Sequence, residues 1–124
     1  MSRILLIEDD PVLQDMYKDK FVNEGYEIHV TSYGIEGISM IKQIKPDLVL
    51  LDLILPDTTG FSVLDTVNKD PEINTIPIIV MTNIYADGED LVKNHGVKSF
   101  ILKSNSTPNQ IFAKVKMLLG QNNS

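Results

Sequence analysis

Short apolar runs alternate with longer amphipathic segments along the chain, and this alternation repeats five times. Uninterrupted apolar runs that end in polar residues are typical of strands buried on both faces of a sheet. We predict strands at residues 3–8, 26–31, 47–52, 76–82 and 97–103. The second run, YEIHVT, alternates apolar and polar residues, so we expect it to be a half-exposed or edge strand.

A segment with helical spacing follows each strand. Asp10 and Pro11 are the expected cap and first residue of the first helix, which Gly25 ends. A stripe of isoleucines from 35 to 44 predicts the second helix, which stops before Pro46. We predict the other three helices around 61–67, at 86–95 with weak amphipathicity, and from Thr107 and Pro108 through 118.

Five strand–helix units in sequence predict an α/β fold, because right-handed crossovers place helices on both faces of a parallel sheet. A chain of 124 residues has the length of one domain. We assign it to residues 1–120 and expect residues 121–124 to form a frayed tail. Ligands of such sheets bind beyond the carboxyl ends of the strands, so polar residues there are the candidates for function.

Composition and charge exclude several classes of function. The formal net charge of −6 disfavours direct binding of nucleic acid or of an anionic membrane surface. The absence of cysteine excludes disulfides, thiolate nucleophiles and thiolate zinc sites. The longest nearly apolar stretch, residues 48–55, contains an Asp and is far shorter than the about 20 residues of a membrane span. With no signal peptide at the start, we expect a soluble, cytoplasmic protein.

Candidate site residues stand at four of the five predicted strand ends, and the second strand ends in Thr31 and Ser32 without a charge. Glu8 and Asp9 follow the first strand, Asp52 the third, Thr82 the fourth and Lys103 the fifth. Two carboxylates ~4 Å apart repel by about 4 kcal/mol at an effective dielectric near 20, so some are protonated or a cation neutralises them. Oxygen ligands without His or Cys favour a hard cation, with Mg²⁺ the plausible one. An acidic pocket with Mg²⁺, a Thr and a Lys suits a phosphoryl group.

Each of these residues also has a purely structural explanation. Thr82 is of a type common in strands, and Lys103 on its own would be a surface lysine. Asp10, next to them, is more simply a helix cap, and Glu8 and Asp9 are alternatively solvated loop acids. Asp52 is alternatively a structural acid paired with Lys103. The joint placement of these side chains at neighbouring strand ends favours the functional interpretation.

Four motifs together resemble a response-regulator receiver domain. They are IEDDP after the first strand, LLDLILPDTTG around the third, IVMT at the end of the fourth and FILK at the end of the fifth. The resemblance covers essentially the whole chain and implies a flavodoxin-like (βα)5 three-layer sandwich with parallel strand order 2-1-3-4-5. It implies a signalling domain rather than an enzyme. Because little sequence follows the last helix, we expect a stand-alone receiver or a part of a longer chain.

The resemblance also implies roles for the strand-end residues. Asp52 would accept a phosphoryl group from the phosphohistidine of a sensor histidine kinase or a phosphotransfer protein. Glu8 and Asp9 would hold Mg²⁺ together with Asp52 and the backbone carbonyl of Ile54. Lys103 would offset charge on the transferring oxygens.

By the same resemblance, phosphorylation switches the surface of the domain. Thr82 would turn inward to the phosphoryl group, and Phe100 would move into the space that Thr82 vacates, although Phe100 is alternatively a plain core aromatic. The face formed by the fourth helix, the last strand and the last helix would then meet a downstream protein.

Several positions depart from the pattern of these domains. Asn83 stands where most have a small residue, which narrows access to the site or changes its hydrogen bonding. Ser104 replaces the usual Pro after Lys103, and the isomer of that peptide bond is left open. The resemblance also implies that Ile54 and Ile84 occupy positions that in receiver domains modulate hydrolysis of the acyl phosphate. Because neither side chain can orient a water, we expect a long-lived phosphoryl group.

Three alternatives differ in class. A degenerate receiver would bind partners without phosphorylation. A Mg²⁺-dependent phosphohydrolase of the haloacid-dehalogenase type would carry Asp-x-Asp-x-Thr after a strand, which neither acidic motif matches. A flavin or nucleotide binder would carry a Gly- or Ser/Thr-rich loop after the first strand, where this chain has acids.

Overall fold

All five apolar runs form strands in the computed structural model, which describes residues 2–83 and 88–122. The strands are β1 (Arg3–Ile7), β2 (Glu27–Thr31), β3 (Leu48–Leu51), β4 (Ile78–Thr82) and β5 (Ser99–Leu102). All five are shorter than predicted. Pro77 has no N–H for the sheet, so β4 begins after it. The Val97 N–H donates to the carbonyl of Leu91 instead of the sheet.

The helices follow the strands as predicted. They are α1 (Pro11–Asn23), α2 (Gly34–Ile44), α3 (Gly60–Asn68), α4 (Gly88–Asn94) and α5 (Pro108–Asn122), with a 3₁₀ turn at Lys103–Asn105. Asp10 caps α1, since its Oδ1 accepts from the Val12 N–H at 2.9 Å. Residues 86 and 87 of the predicted fourth helix lie outside the described residues. The last helix continues two residues past the predicted boundary at 120, and residues 123 and 124 lie outside the described part.

The sheet is parallel throughout and has the order β2-β1-β3-β4-β5, which confirms the expected topology. The strand order reverses between β1 and β3, where Ile7 pairs with Leu51. Ligands of open α/β sheets bind beside this reversal point. Glu8 and Asp52, the next residues of the two strands, therefore emerge side by side.

Helices cover both faces of the sheet, as a three-layer sandwich requires. On one face the buried side chains of α1 and α5 pack against the sheet, among them Tyr17, Phe21 and Ile111. On the other face α2, α3 and α4 contribute Ile41, Leu64 and other buried side chains. The residues of β3 and β4 are all buried, as expected for central parallel strands, whereas most of β2 is half-buried at the edge. No helix in the described ranges is both long and apolar enough to cross a membrane.

Gly60 lies against the backbone that carries Asp52. Its N–H donates to the Leu53 carbonyl at 2.8 Å. A Cβ at this position would lie 2.6 Å from the Leu53 Cα and 2.7 Å from the Asp52 carbonyl oxygen. Because backbone atoms cannot rotate away, only glycine fits here without a shift of the chain after β3.

We therefore expect Gly60→Ala to destabilise the protein by about 1–3 kcal/mol, the usual range for overpacking a close contact. Urea unfolding measures this change. Gly120→Ala is the matched control, because a Cβ at Gly120 meets no atom within 4 Å and alanine favours a helix. Equal stability of the two variants would show that the loop after β3 tolerates a side chain.

Candidate functional site

An ion-paired lysine joins the ends of the central strands. The Lys103 ammonium donates to Asp52 Oδ2 at 2.8 Å and also to Glu8 Oε1. Glu8 is fully buried, Asp52 is 5% exposed, and the Lys103 side chain is 8% exposed. Buried carboxylates need a cation or hydrogen bonds, so Lys103 is the counter-charge for both acids.

Lys103 reaches this position from the first residue after β5. There the chain turns into the 3₁₀ turn at Lys103–Asn105, and the Lys103–Ser104 peptide bond is trans. The sequence predicted the position of Lys103 at the strand end but not this turn. The short turn changes the direction of the chain and leaves the lysine side chain over the ends of β1 and β3.

Asp9 completes a cluster of three acids with Glu8 and Asp52. One carboxylate oxygen from each lies within 4.8 Å of the others. An octahedral Mg²⁺ with ligands at about 2.1 Å separates its oxygens by about 3–4 Å, so small side-chain rotations suffice to share one ion. All three donors are hard oxygens, the type that Mg²⁺ prefers. The residues therefore fit the predicted magnesium site.

Burial and ion pairing act on the pKa values of Glu8 and Lys103, and both pKa values are raised. Burial raises the pKa of Glu8 above its usual value, although the Lys103 ammonium opposes this shift. Burial lowers the pKa of Lys103, but its hydrogen bonds to Asp52 and Glu8 outweigh that effect and raise the pKa overall. Lys103 is thus firmly cationic, and one ammonium faces three acids.

The acids line an open cleft of about 220 Å³. Its walls are Glu8, Asp9, Asp10, Leu13, Asp52, Ile54, Thr82, Asn83 and Lys103. Thr82 is fully buried, whereas Asn83 is exposed and Ile54 is 53% exposed at the mouth. The Ile54 N–H donates to Asp52 Oδ1 at 3.1 Å. The cleft therefore brings together every predicted site residue except Phe100.

Phe100 pairs with Val80, two register pairs before the Thr82–Leu102 pair. Because alternate residues of a strand share a face, Thr82 and Phe100 point to the same side of the sheet. Phe100 is half-buried and packs against the core beneath α2, α3 and α4. This packing agrees with the core-aromatic alternative, and a switching role stays a prediction.

Three residues near the site were not predicted from the sequence. Leu13 lines the cleft from the first turn of α1. Its position three residues after the Asp10 cap could have indicated that it lies near the strand ends. Gln14 donates to the Glu8 carbonyl, and Asp57 accepts from the first amides of α2. No local pattern marks these two contacts, because Gln14 and Asp57 each reach a different loop.

Comparison with known proteins assigns this arrangement to a family. Residues 4–116 match the family model described as response regulator receiver domain. The polar-differentiation response regulator DivK of Brucella anthropi is 30% identical over 118 residues, which cover 94% of this chain and 95% of DivK. The DNA-binding dual master transcriptional regulator RpaA of Synechocystis sp. is 37% identical over 82 residues, which cover 66% of this chain and 34% of RpaA.

The fold has close relatives among solved structures as well. The CheY-like response regulator receiver domain protein from Methanospirillum hungatei is 30% identical, with a TM-score of 0.86 over 98% of this chain and 95% of that one. The flavodoxin-like fold expected from the sequence is thereby confirmed. The match to RpaA spans about a third of that protein's length, so the DNA binding in its name concerns RpaA and not this chain.

The excess of negative charge predicts a stabilising substitution. Asp9→Asn removes one charge from within 4.8 Å of two other carboxylates and leaves the bonds of Lys103 in place. Without divalent ions, we expect the free energy of unfolding to rise by about 1 kcal/mol. Urea unfolding in a chelator tests this. Asp65→Asn, on the exposed face of α3, should change stability by less than about 0.5 kcal/mol. If Asp9→Asn were less stable than the native chain, the acids would not repel one another as this prediction assumes.

Proposed function

The chain belongs to the response regulator receiver domain family, and we propose that it is a phosphoacceptor of two-component signalling. Its donor would be the phosphohistidine of a sensor histidine kinase or a phosphotransfer protein, and its acceptor Asp52. One observation carries the proposal: a buried aspartate, bonded to a lysine and adjacent to two further acids, lines an open cleft. We place this role in the cytoplasm, with protein partners rather than nucleic acid or membranes.

The transfer needs a nucleophile and charge compensation. An oxygen of the Asp52 carboxylate forms a bond to phosphorus while the P–N bond of phosphohistidine breaks, and the bonding pair leaves with the imidazole. Negative charge on the transferring oxygens would be offset by the Lys103 ammonium, 2.8 Å from Asp52, and by bound Mg²⁺. Asp52 accepts the Ile54 N–H at Oδ1, which fixes the orientation of its carboxylate.

Magnesium would be held by Glu8, Asp9 and Asp52, with the backbone carbonyl of Ile54 as a further ligand. The carboxylates supply the hard oxygens that the ion prefers. Asn83 is exposed beside Thr82 on the cleft wall, where it would narrow access to Asp52 or add a hydrogen bond that a small residue could not make.

The phosphoryl group would be long-lived. The exposed Ile54 side chain stands at the mouth of the cleft and has no polar atom with which to orient an attacking water. Ile84, the other apolar residue expected to affect hydrolysis, lies outside the described residues. Hydrolysis would then depend on water that neither isoleucine side chain can orient.

Signal output would follow from a change near the acceptor. The hydroxyl of Thr82 would bind the phosphoryl group, and Phe100 would move into the space that Thr82 leaves, on the same face of the sheet. The surface of α4, β5 and α5 would then change its affinity for a downstream protein. The alternative is a degenerate receiver that binds partners without phosphorylation.

Intact mass spectrometry tests the acceptor. With Mg²⁺ and a small phosphodonor, the protein should gain a single phosphoryl group, which persists for minutes after the donor is removed. Asp52→Asn should abolish the adduct because the amide is a poor nucleophile. Asp65→Asn, remote from the cluster, should retain it.

Each other result has a separate meaning. An adduct on the Asp52→Asn variant would show that another residue is the acceptor, and no adduct on the native chain would favour the degenerate receiver. Loss within seconds would contradict only the slow hydrolysis. Sustained release of phosphate from an ester, beyond one equivalent per chain, would favour a phosphohydrolase.

A further inference from the structure

The β2–α2 connection comprises residues 31–35, from the end of β2 through the first turn of α2. These residues do not line the cleft, yet they form hydrogen bonds with both loops that do. On one side it contacts the loop between β3 and α3. Asp57 Oδ1 accepts from the Gly34 N–H at 2.9 Å, and Asp57 Oδ2 accepts from the Ile35 N–H at 3.1 Å. A single carboxylate thus satisfies two amides in the first turn of α2.

This contact replaces a local helix cap. Tyr33 stands at the N-cap position of α2, and within the described ranges its side chain makes no capping hydrogen bond. The amides of Gly34 and Ile35 also lower the pKa of Asp57, although partial desolvation opposes them. The first turn of α2 therefore depends on a residue more than twenty positions further along the chain.

Close packing reinforces the same contact. A Cβ at Gly34 would lie 2.5 Å from the Thr58 side chain and 3.0 Å from that of Leu55. The loop after β3 thus lies directly on the first turn of α2, and the absence of a side chain at Gly34 permits this approach. Ile54, whose N–H bonds to Asp52, precedes Leu55 in this loop.

On its other side, the β2–α2 connection is bonded to the loop after β1. Gln14 Nε2 donates to Ser32 Oγ at 2.9 Å and also to the Glu8 carbonyl. The Glu8 N–H donates to the Thr31 carbonyl at 3.0 Å. The residues that carry Glu8 and Asp9 are therefore held against the same connection as the residues that carry Ile54.

We propose that the β2–α2 connection is a brace that fixes the spacing of the two metal-binding loops, with Asp57 and Gln14 as its positioning residues. Neither side chain touches the ion. Each side chain holds one loop to the brace. The distance between the acids after β1 and the Ile54 carbonyl after β3 is thereby kept constant. This inference rests on the proposed magnesium site.

Mg²⁺ affinity separates positioning from simple helix capping. A cap alone would affect the stability of α2 but not the affinity for the ion. Groups that orient metal ligands typically contribute 10–100-fold to affinity, and we expect Asp57→Ala to weaken Mg²⁺ binding by about tenfold. Asp57→Asn keeps one oxygen acceptor and should lose less Mg²⁺ affinity than Asp57→Ala. Gln14→Met, similar in shape but without a donor, should also weaken binding.

The titration is done by calorimetry on each intact chain, with urea unfolding in parallel. Asp70→Ala is the matched control. Asp70 also accepts a backbone N–H, from Glu72 at 3.0 Å, and pairs with Lys42 at 2.9 Å, but it lies outside the cleft and the brace. We expect this variant to lose stability without losing Mg²⁺ affinity.

Hydrogen exchange on the native chain provides a test without substitution. Because binding and positioning are reciprocal, saturating Mg²⁺ should slow exchange of the Gly34 and Ile35 amides. Unchanged exchange at both amides, or native affinity in Asp57→Ala, would overturn the brace and leave the proposed function intact. A native chain that binds no Mg²⁺ would overturn the magnesium site and the brace together.

Discussion

The ion pairs of Lys103 with Glu8 and Asp52 determine how the end of the sheet is built. Burying two carboxylates without a cation would cost several kcal/mol, so the strand ends can meet only if β5 delivers its lysine across them. Yet one ammonium does not neutralise three acids. The remaining negative charge is a local cost to stability, and under the proposed function it would provide the affinity for a divalent ion and the nucleophile for phosphoryl transfer.

Most of the fold follows from patterns that are local in the sequence. Buried strands are continuous apolar runs, so β1, β3 and β4 were predictable, and Asp10 before Pro11 marked the start of α1 correctly. The predicted strand ends were less accurate. At the carboxyl ends Glu8, Asp52 and Lys103 lie beyond the strands, and at the amino ends of β4 and β5 Pro77 and the N–H of Val97 do not join the sheet. No short pattern marks the 3₁₀ turn after β5, and α5 continues to Asn122, past the predicted boundary.

The site was predictable to the extent that topology determines it. Parallel strands end at one edge, so acids, Thr82 and Lys103 at those ends were expected to meet, and they line one cleft. Contacts between loops were not predictable. Gln14 and Asp57 bond to residues 18 to 23 positions away, and nothing in their immediate sequence indicates the partner. The local sequence therefore identifies the candidate site residues, whereas their alignment depends on the tertiary structure.

The most direct test of a shared ion is carboxyl ¹³C NMR during titration with Mg²⁺. If Glu8, Asp9 and Asp52 hold one ion, their three carboxyl signals shift together with one common midpoint, while the signal of the exposed Asp65 stays in place. If Asp9 alone responds, or if the three signals shift with separate midpoints, the acids do not share an ion, and the account of a Mg²⁺-dependent Asp52 fails.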